Sequence, residues 1–169
     1  MRFTIETVYD QKSLTAMARA LRKTIRIKRS RRTHAFGWMV TIIALLLILN
    51  SSEMSGNVVV TGIAAGMIVI TLVFEDQING YVAIKRAMPG LDRSVVTFHE
   101  EGYHSATSIG TSDFRYDTIL RFVDCKDFFV FVFSASHAQV YDKRNISGGT
   151  PSEFAAFILE KTGKQMEIV

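Results

Sequence analysis

Histidine and acidic residues that lie close together are the first places where this sequence could hold a metal ion. His99 and His104 flank Glu100 and Glu101, and imidazole and carboxylate groups are common zinc ligands. Their separation across a predicted hairpin matches no standard spacing of metal ligands, so we interpret the segment as a solvated turn. The sequence therefore predicts no metal site.

The candidate nucleophiles lack the partners that would activate them. Ser134 precedes His137 by three positions, but no G-x-S-x-G motif surrounds a serine. Cys125 has two aspartates within two residues, and nearby carboxylates raise the pKa of a thiol and disfavour the reactive thiolate. Gly148 and Gly149 lack the lysine of a phosphate-binding loop and are interpreted as a turn. We therefore predict no catalytic residue, no cofactor and a protein that is not an enzyme.

Lys143 and Arg144 are the polar pair that best suits a ligand. They are adjacent cations at the end of a predicted strand, and paired cations suit phosphate groups. If this region faces a membrane, the pair could contact lipid phosphates or a partner. The alternative is an ordinary solvated pair.

Basic residues are concentrated near the amino terminus. Residues 1–34 carry a net charge of +8 and the remaining residues carry −4. Leu14, Met17, Leu21 and Ile25 recur at spacings of three and four, which predicts an amphipathic helix. The cations expected at a membrane surface are Arg19, Arg22, Lys23, Arg26, Lys28, Arg29, Arg31 and Arg32.

Three interpretations of this basic segment compete. It could fix the orientation of a membrane span, or lie on anionic lipid headgroups, where each cation contributes about 1 kcal/mol. It could also bind nucleic acid, but it adjoins a predicted span and lacks interleaved aromatic residues for base stacking. We expect the first two together, with no nucleic-acid partner.

Two long uncharged runs follow the basic segment. Residues 33–52 and 54–74 contain no Asp, Glu, Lys or Arg, and about 20 helical residues cross the hydrocarbon core of a bilayer. The sequence therefore predicts a transmembrane helical hairpin rather than two buried helices of a soluble core. Lys and Arg accumulate on the cytoplasmic side, and the turn between the runs has neither, so both termini are expected in the cytoplasm.

Gly62 and Gly66 form a G-x-x-x-G step in the second run. Small residues at this spacing allow helix backbones to approach closely, so the step could pack against the first span or against another copy of the chain. The alternative is that glycine is simply frequent in membrane helices.

The remaining sequence predicts a small β-rich domain. An alternating segment at residues 3–8 predicts a strand. The second span should continue as a helix to residue 87 and end at Met88-Pro89-Gly90. Thr150, Pro151 and Glu153 form a helix start, and Gly163 should end that helix. Further strands are predicted at residues 95–99, 103–108, 112–116, 119–124, 128–133 and 138–141.

The expected fold is an α+β membrane protein, with a two-helix transmembrane hairpin and a small antiparallel β domain closed by a carboxy-terminal helix. The expected divisions are an amino-terminal strand and basic amphipathic helix, the hairpin with spans near 35–52 and 56–74, and a cytoplasmic β domain. These divisions cover residues 1–34, 35–74 and 75–169, respectively.

This layout resembles the YcxB-like family of bacterial membrane proteins. Residues 95–102 resemble the strand and acidic turn of that family, and residues 114–122 its aromatic central segment. Residues 128–133 stand where its apolar strand lies, and residues 141–145 resemble the step before its last helix, although Asp142 replaces a frequent proline. The resemblance implies a pleckstrin-homology-like carboxy-terminal domain and a bacterial plasma membrane.

These expectations favour a membrane-anchored, non-enzymatic interaction module. Its partners would be anionic lipids of the inner leaflet, a second copy of the chain, or an unidentified protein. An immunity or regulatory protein acting on a toxin or another membrane protein is the alternative, and a membrane-bound enzyme is the least favoured.

Overall fold

The computed structural model describes residues 3–51, 53, 55–87 and 90–169. These residues form an α+β fold with five α-helices and nine β-strands. The helices are α1 (Gln11–Lys23), α2 (Ile27–Leu49), α3 (Gly56–Val73), α4 (Glu75–Arg86) and α5 (Pro151–Thr162). The strands are β1 (Phe3–Val8), β2 (Arg93–Phe98), β3 (Gly102–Thr107), β4 (Gly110–Arg115), β5 (Arg121–Cys125), β6 (Phe128–Val132), β7 (Ala138–Asp142), β8 (Ile146–Ser147) and β9 (Met166–Ile168).

The strands form two sheets around an aromatic core. The first sheet has the order β4-β3-β2-β1-β8 and the second has the order β7-β6-β5-β9. The described pairs are antiparallel except β5 with β9. Phe98, Phe131 and Phe154 are fully buried between the sheets and α5. The six sequence-predicted strands of this domain correspond to β2 to β7 with shifted ends, while the short β8 and β9 were not predicted.

Strand β1 belongs to the β domain, which changes the predicted division of the chain. It lies between β2 and β8, with Phe3 opposite Phe98 and Ile5 opposite Val96. The alternation of residues 3–8 predicted a strand, but its partners β2 and β8 lie about 90 and about 140 positions away and have no local signature. Helices α1 to α4 are therefore an insertion between two neighbouring strands, not a segment between separate amino-terminal and carboxy-terminal parts.

Helix α1 packs its apolar face on protein. Asp10 caps it by accepting a hydrogen bond from Ser13 N at 2.8 Å, and Ala20 and Leu21 are buried against the outer face of the second sheet. Strand β6 is consequently covered on both faces, as its continuous apolar sequence predicted. Because this face is buried, α1 does not present the apolar stripe that an amphipathic helix inserts between lipids.

Helices α2 and α3 form the apolar hairpin. They contain 23 and 18 residues, and their most apolar 18-residue segments have mean hydropathies of 1.7 and 2.1, so each is long and apolar enough to cross a membrane. Only 11% and 6% of their most apolar segments are buried. The chain continues from Phe74 into α4 and ends that helix at Arg86, one residue before the predicted end. Met88 and Pro89 of the predicted stop lie outside the described residues.

The predicted boundaries of α5 are confirmed. Thr150 accepts from Glu153 N, and the Glu153 carboxylate accepts from Thr150 N, which completes a capping box. Pro151 begins the helix, and Gly163 ends it in the left-handed conformation with φ of 63°. Start and stop signals of this kind are local, which is why the sequence alone located this helix.

Candidate functional site

The base of the helical hairpin, where α1, α2 and α4 meet, contains most of the charged residues that the sequence singled out. We call it the hairpin base, defined by residues 19–34 together with Glu75 and Asp76. Asp76 is 5% exposed and accepts two hydrogen bonds of 2.6 Å from Arg22, one from Nε and one from Nη2. These bonds raise the pKa of the Arg22 guanidinium. Such a two-pronged arginine–carboxylate contact fixes both groups in orientation as well as charge.

The same contact region extends to three further side chains. Arg19 Nε lies 3.5 Å from Asp76 Oδ2, and Arg22 Nε lies 3.7 Å from Glu75 Oε2. His34 Nε2 is 2.7 Å from Glu75 Oε2. The acidic pair begins α4 and Arg22 ends α1, so each charge also suits the dipole of its own helix. These contacts therefore connect the end of α1, the start of α2 and the start of α4.

Arg26 links the hairpin base to the β domain. Its Nε donates a hydrogen bond of 2.5 Å to the carbonyl oxygen of Ala135, in the turn between β6 and β7. Arg26 is also the residue immediately before α2. The start of the first apolar helix is thereby tied to one end of the second sheet.

The predicted surface cations thus divide into two groups. Arg19, Arg22 and Arg26 contact acidic or carbonyl oxygens of the protein. The other five are exposed and form no ion pair within the described part of the chain; they are Lys23, Lys28, Arg29, Arg31 and Arg32. We call these five residues the free cations.

Four of the free cations lie in the first two turns of α2. No acidic residue lies in the first turn of this helix, and the amino end of a helix carries a partial positive charge. Cations there repel that partial charge and one another. Anions from outside the chain would relieve this repulsion, which makes the free cations a candidate site for anionic groups.

The glycines of the predicted G-x-x-x-G step contribute little to packing inside the chain. A methyl group at Gly62 would lie 3.8 Å from Ile48 Cδ1, an ordinary contact, and one at Gly66 would meet no atom within 4 Å. The close approach of the two helices lies at Gly37, where a methyl group would come 2.8 Å from Leu72 Cδ1. Packing between α2 and α3 therefore depends on other small residues, including Ala44 and Ala65.

The candidate pair Lys143 and Arg144 is engaged by protein groups. Lys143 Nζ donates to Asp124 Oδ1 at 2.6 Å and to Lys126 O at 2.7 Å. Arg144 donates to both carboxylate oxygens of Asp142, at 2.9 and 2.6 Å, and this contact lowers the pKa of Asp142. These ion pairs do not favour the hypothesis of a phosphate contact.

The pair also lies at the opposite end of the second sheet from the contact made by Arg26. Lys143 contacts the turn between β5 and β6 through Lys126, whereas Arg26 contacts the turn between β6 and β7. Those two turns lie at opposite ends of strand β6. Lys143 and Arg144 therefore belong to the end of the sheet that is remote from α2.

The remaining candidates for chemistry are explained by local structure. His104 Nδ1 is 2.7 Å from Asp113 Oδ1 on the neighbouring strand. Ser134 Oγ accepts a hydrogen bond of 3.0 Å from the backbone N–H of His137, as in a turn. Burial raises the pKa of the Cys125 thiol to about 12. Among the described residues, no group of three or more His, Cys, Asp or Glu could hold a metal ion.

Sequence reasoning missed the acidic side of the hairpin base. Glu75 and Asp76 were visible in the sequence as the first charged residues after the second uncharged run. Ten basic residues precede the first uncharged run. That juxtaposition was the available indication of an ion-pair network.

No family model, no curated protein and no solved structure has significant similarity to this chain.

Proposed function

We propose that this chain is a two-span membrane protein that holds a non-enzymatic interaction domain at the cytoplasmic face of a bacterial plasma membrane. In this proposal α2 and α3 cross the bilayer, the free cations contact anionic headgroups, and the β domain receives a partner. The chain would be a member of the YcxB-like family, and its β domain would be pleckstrin-homology-like.

The exposure of the apolar hairpin is the observation that carries the proposal. Leu46, Leu47 and Leu49 are 60%, 63% and 80% exposed, and Val60 is 66% exposed. Apolar surface that stays in water costs about 25 cal/mol of free energy for each Å², relative to the same surface when buried. Burial of both helices in lipid removes that cost, since the described part of the chain buries only 11% and 6% of their most apolar segments.

The charge distribution supports the sidedness. The free cations lie just before α2 or in its first two turns, ahead of the uncharged part of that helix. The described turn residues between α2 and α3 include Glu53 but no Lys or Arg. Cations are retained on the cytoplasmic side during insertion. Both termini, and therefore the whole β domain, would then face the cytoplasm.

The strand arrangement supports the pleckstrin-homology-like assignment of the β domain. Two sheets pack around one aromatic core, and α5 closes the core through Phe154 and Phe157. Because α1 to α4 join β1 to β2, the β domain is attached to the membrane helices by two connections. Its orientation at the membrane would be fixed further by Arg26 and Ala135.

The sidedness is tested by mapping introduced cysteines in intact cells. In a Cys125→Ala background, Ser55→Cys places a thiol in the exposed hairpin turn and Ser152→Cys places one at the exposed start of α5. A membrane-impermeant maleimide should label position 55 in intact cells and position 152 only after the membrane is permeabilised.

The membrane attachment itself is tested on the same preparations. Alkaline carbonate should leave the chain in the membrane pellet. Release into the supernatant would refute the transmembrane assignment, and labelling of position 152 in intact cells would refute the sidedness.

A further inference from the structure

An uncharged cleft opens between the β3–β4 hairpin and helices α1 and α4. Its volume is about 540 Å³, and none of its lining side chains is Asp, Glu, Lys or Arg. Leu14 and Met17 line it from α1 and Ala83 lines it from α4. A cleft of this size and mainly apolar lining suits an apolar group better than a charged one, since taking an unpaired charge out of water is costly.

The cleft exists because the inward-facing side chains of the β3–β4 hairpin change from large to small along the strands. Tyr103 and Phe114 are opposite each other and stack with ring centroids 5.2 Å apart, which fills the core. The next inward pair is Ser105 and Ser112. Two small residues follow two aromatic rings on the same face, so the space beyond the rings stays unfilled.

Gln139 supplies a polar group at the wall of the cleft. Its Oε1 accepts hydrogen bonds from the hydroxyls of Tyr103 at 3.3 Å and Tyr141 at 2.6 Å. Because the amide oxygen is held by both tyrosines, the amide N–H groups are directed away from them. Gln139 lines the cleft, so the tyrosine contacts fix the position of this part of its wall.

Strand β4 forms one edge of its sheet, next to this cleft. It pairs with β3 on one side and with no strand of the described chain on the other. His99 N donates to Gly102 O at 2.8 Å. The backbone N–H and C=O groups of Gly102 therefore face β2, and so do those of His104 and Ala106, two and four positions later in β3. The intervening residues of β3 bond Gly110, Ser112 and Phe114 of β4.

The alternation in β4 leaves its other backbone groups at the free edge. In an antiparallel sheet, successive residues direct their N–H and C=O groups to opposite sides. Those of Thr111 and Asp113 therefore point away from β3, and both residues are exposed. This is a row of donors and acceptors that an added strand can pair with.

We propose that the free edge of β4 and the uncharged cleft together bind an extended segment of a partner protein. The segment pairs with Thr111 and Asp113 through its backbone, and its alternate side chains lie on the face that Ser112 occupies. Those side chains enter the cleft and must be apolar. Strand addition of this kind takes affinity from main-chain hydrogen bonds and specificity from pockets for alternate side chains.

Both features on one strand favour a polypeptide over a lipid chain. A lipid acyl chain uses the apolar cleft and leaves the backbone groups of the edge unpaired. An extended peptide uses both, since a strand added beside β4 projects every second side chain over the cleft. The inference deepens the proposed function by naming the chemistry of the partner.

The test uses the full chain in lipid nanodiscs and a library of short random peptides displayed on phage. We expect selected peptides to alternate apolar and polar residues without charge at the apolar positions. The most enriched peptide is then synthesised and its affinity measured. Neither step depends on cellular topology, so failure here is distinguishable from failure of the cysteine mapping.

Two variants separate the edge from the cleft. Asp113→Pro removes a donor that points out of the sheet, so the pairing with β3 is retained, and affinity should fall about tenfold or more. Ser112→Phe fills the cleft and leaves the edge backbone in place, and it should abolish the preference for apolar residues at alternate positions. The second variant decides the question if the first fails a thermal-unfolding check.

Proline at another free edge is the matched control. Val169 N donates to Asp124 O, so the preceding N–H, that of Ile168, points outward from β9. Ile168→Pro should leave peptide affinity unchanged. Three outcomes would each overturn the proposal. The first is that no peptide is enriched, and the second is that neither Asp113→Pro nor Ser112→Phe changes the affinity. The third is a lipid that is seen bound in native mass spectra and is displaced by Ser112→Phe but not by Asp113→Pro.

Discussion

Arg22 and Asp76 are 54 positions apart in the sequence and joined by two short hydrogen bonds. The aspartate is almost fully buried, and Arg22 retains 22% of its side-chain exposure. Removing one partner of such a pair leaves the other charge poorly solvated, which costs more than the pair itself contributes. Among single residues, we expect the largest effects on the free energy of unfolding where a charged side chain leaves water and contacts a charged partner.

Asp76→Asn should lower the free energy of unfolding by about 2–3 kcal/mol, because a charge-assisted contact to Arg22 is lost. Thermal unfolding in detergent, followed by circular dichroism, measures the change. Asp92→Asn is the matched control, since it neutralises an exposed carboxylate that forms no ion pair in the described chain. Equal losses for the two variants would show that the pair does not stabilise the hairpin base.

The Cys125 thiol should resist modification in the folded protein. Burial raises its pKa to about 12, so at pH 8 almost none of it is the reactive thiolate. Its reaction with maleimide should be about a thousandfold slower than that of an ordinary cysteine, whose pKa is about 8.5. Denaturant should restore the rate, and Lys126→Cys in a Cys125→Ala background should react fast without it. Rapid labelling of the folded wild-type protein would contradict the burial.

At the scale of elements, α1 is the centre of the helical insertion. One side of it covers the second sheet through Ala20 and Leu21, and another packs against α4. The two helices cross at Gly80, where an added methyl group would lie 2.5 Å from Thr15 Oγ1 and 2.9 Å from Thr15 N. Because a backbone atom is among these neighbours, a side chain at this position must separate the helices.

Gly80→Ala should therefore destabilise the protein by about 1–3 kcal/mol through overpacking. Gly66→Ala is its control, since a methyl group there meets no atom of the chain within 4 Å. Thermal unfolding should separate the two variants, and size-exclusion chromatography with light scattering should report the copy number. A drop in stability or in copy number for Gly66→Ala would mean that a second copy packs on that glycine.

At the scale of the whole molecule, the insertion brings opposite charges together. The basic amino-terminal part and the more acidic remainder meet within one chain, through Arg19, Arg22 and the acidic start of α4. The five free cations, which lie close together at the hairpin base, stay exposed and form no ion pair within the described residues. This arrangement favours an anionic membrane surface as the counter-charge.

Replacement of Lys28, Arg29, Arg31 and Arg32 by glutamine should reduce the anionic lipid that remains bound after purification. Each cation near an anionic surface contributes about 1 kcal/mol, so about 4 kcal/mol of attraction is removed. Native mass spectrometry of the detergent-extracted protein measures the retained lipid.

The control for that experiment neutralises the same number of exposed cations elsewhere, namely Lys12, Lys85, Arg86 and Lys126. It should retain anionic lipid at the wild-type level. Equal loss in both variants would indicate an effect of net charge rather than a headgroup site at the hairpin base.

The sequence by itself determined the features that depend on near neighbours. Residues 150–163 carried the capping box and the terminal glycine of α5, and residues 128–132 formed a continuous apolar strand that is buried on both faces. Two runs of about 20 uncharged residues identified the helices that are long and apolar enough to cross a membrane. Helix periodicity, capping and apolar length are local properties, so they can be recognised without knowing the fold.

Tertiary structure alone decided which distant residues meet. It placed β1 beside β2 and paired Asp76 with Arg22. It left open space for a side chain at Gly66, whereas Gly37 and Gly80 closely approach neighbouring helices. It also produced the uncharged cleft beside β4, since small inward-facing residues on a strand enclose a cleft only when helices lie opposite them. Each of these outcomes depends on packing between segments tens of residues apart, for which a single sequence carries no period or spacing.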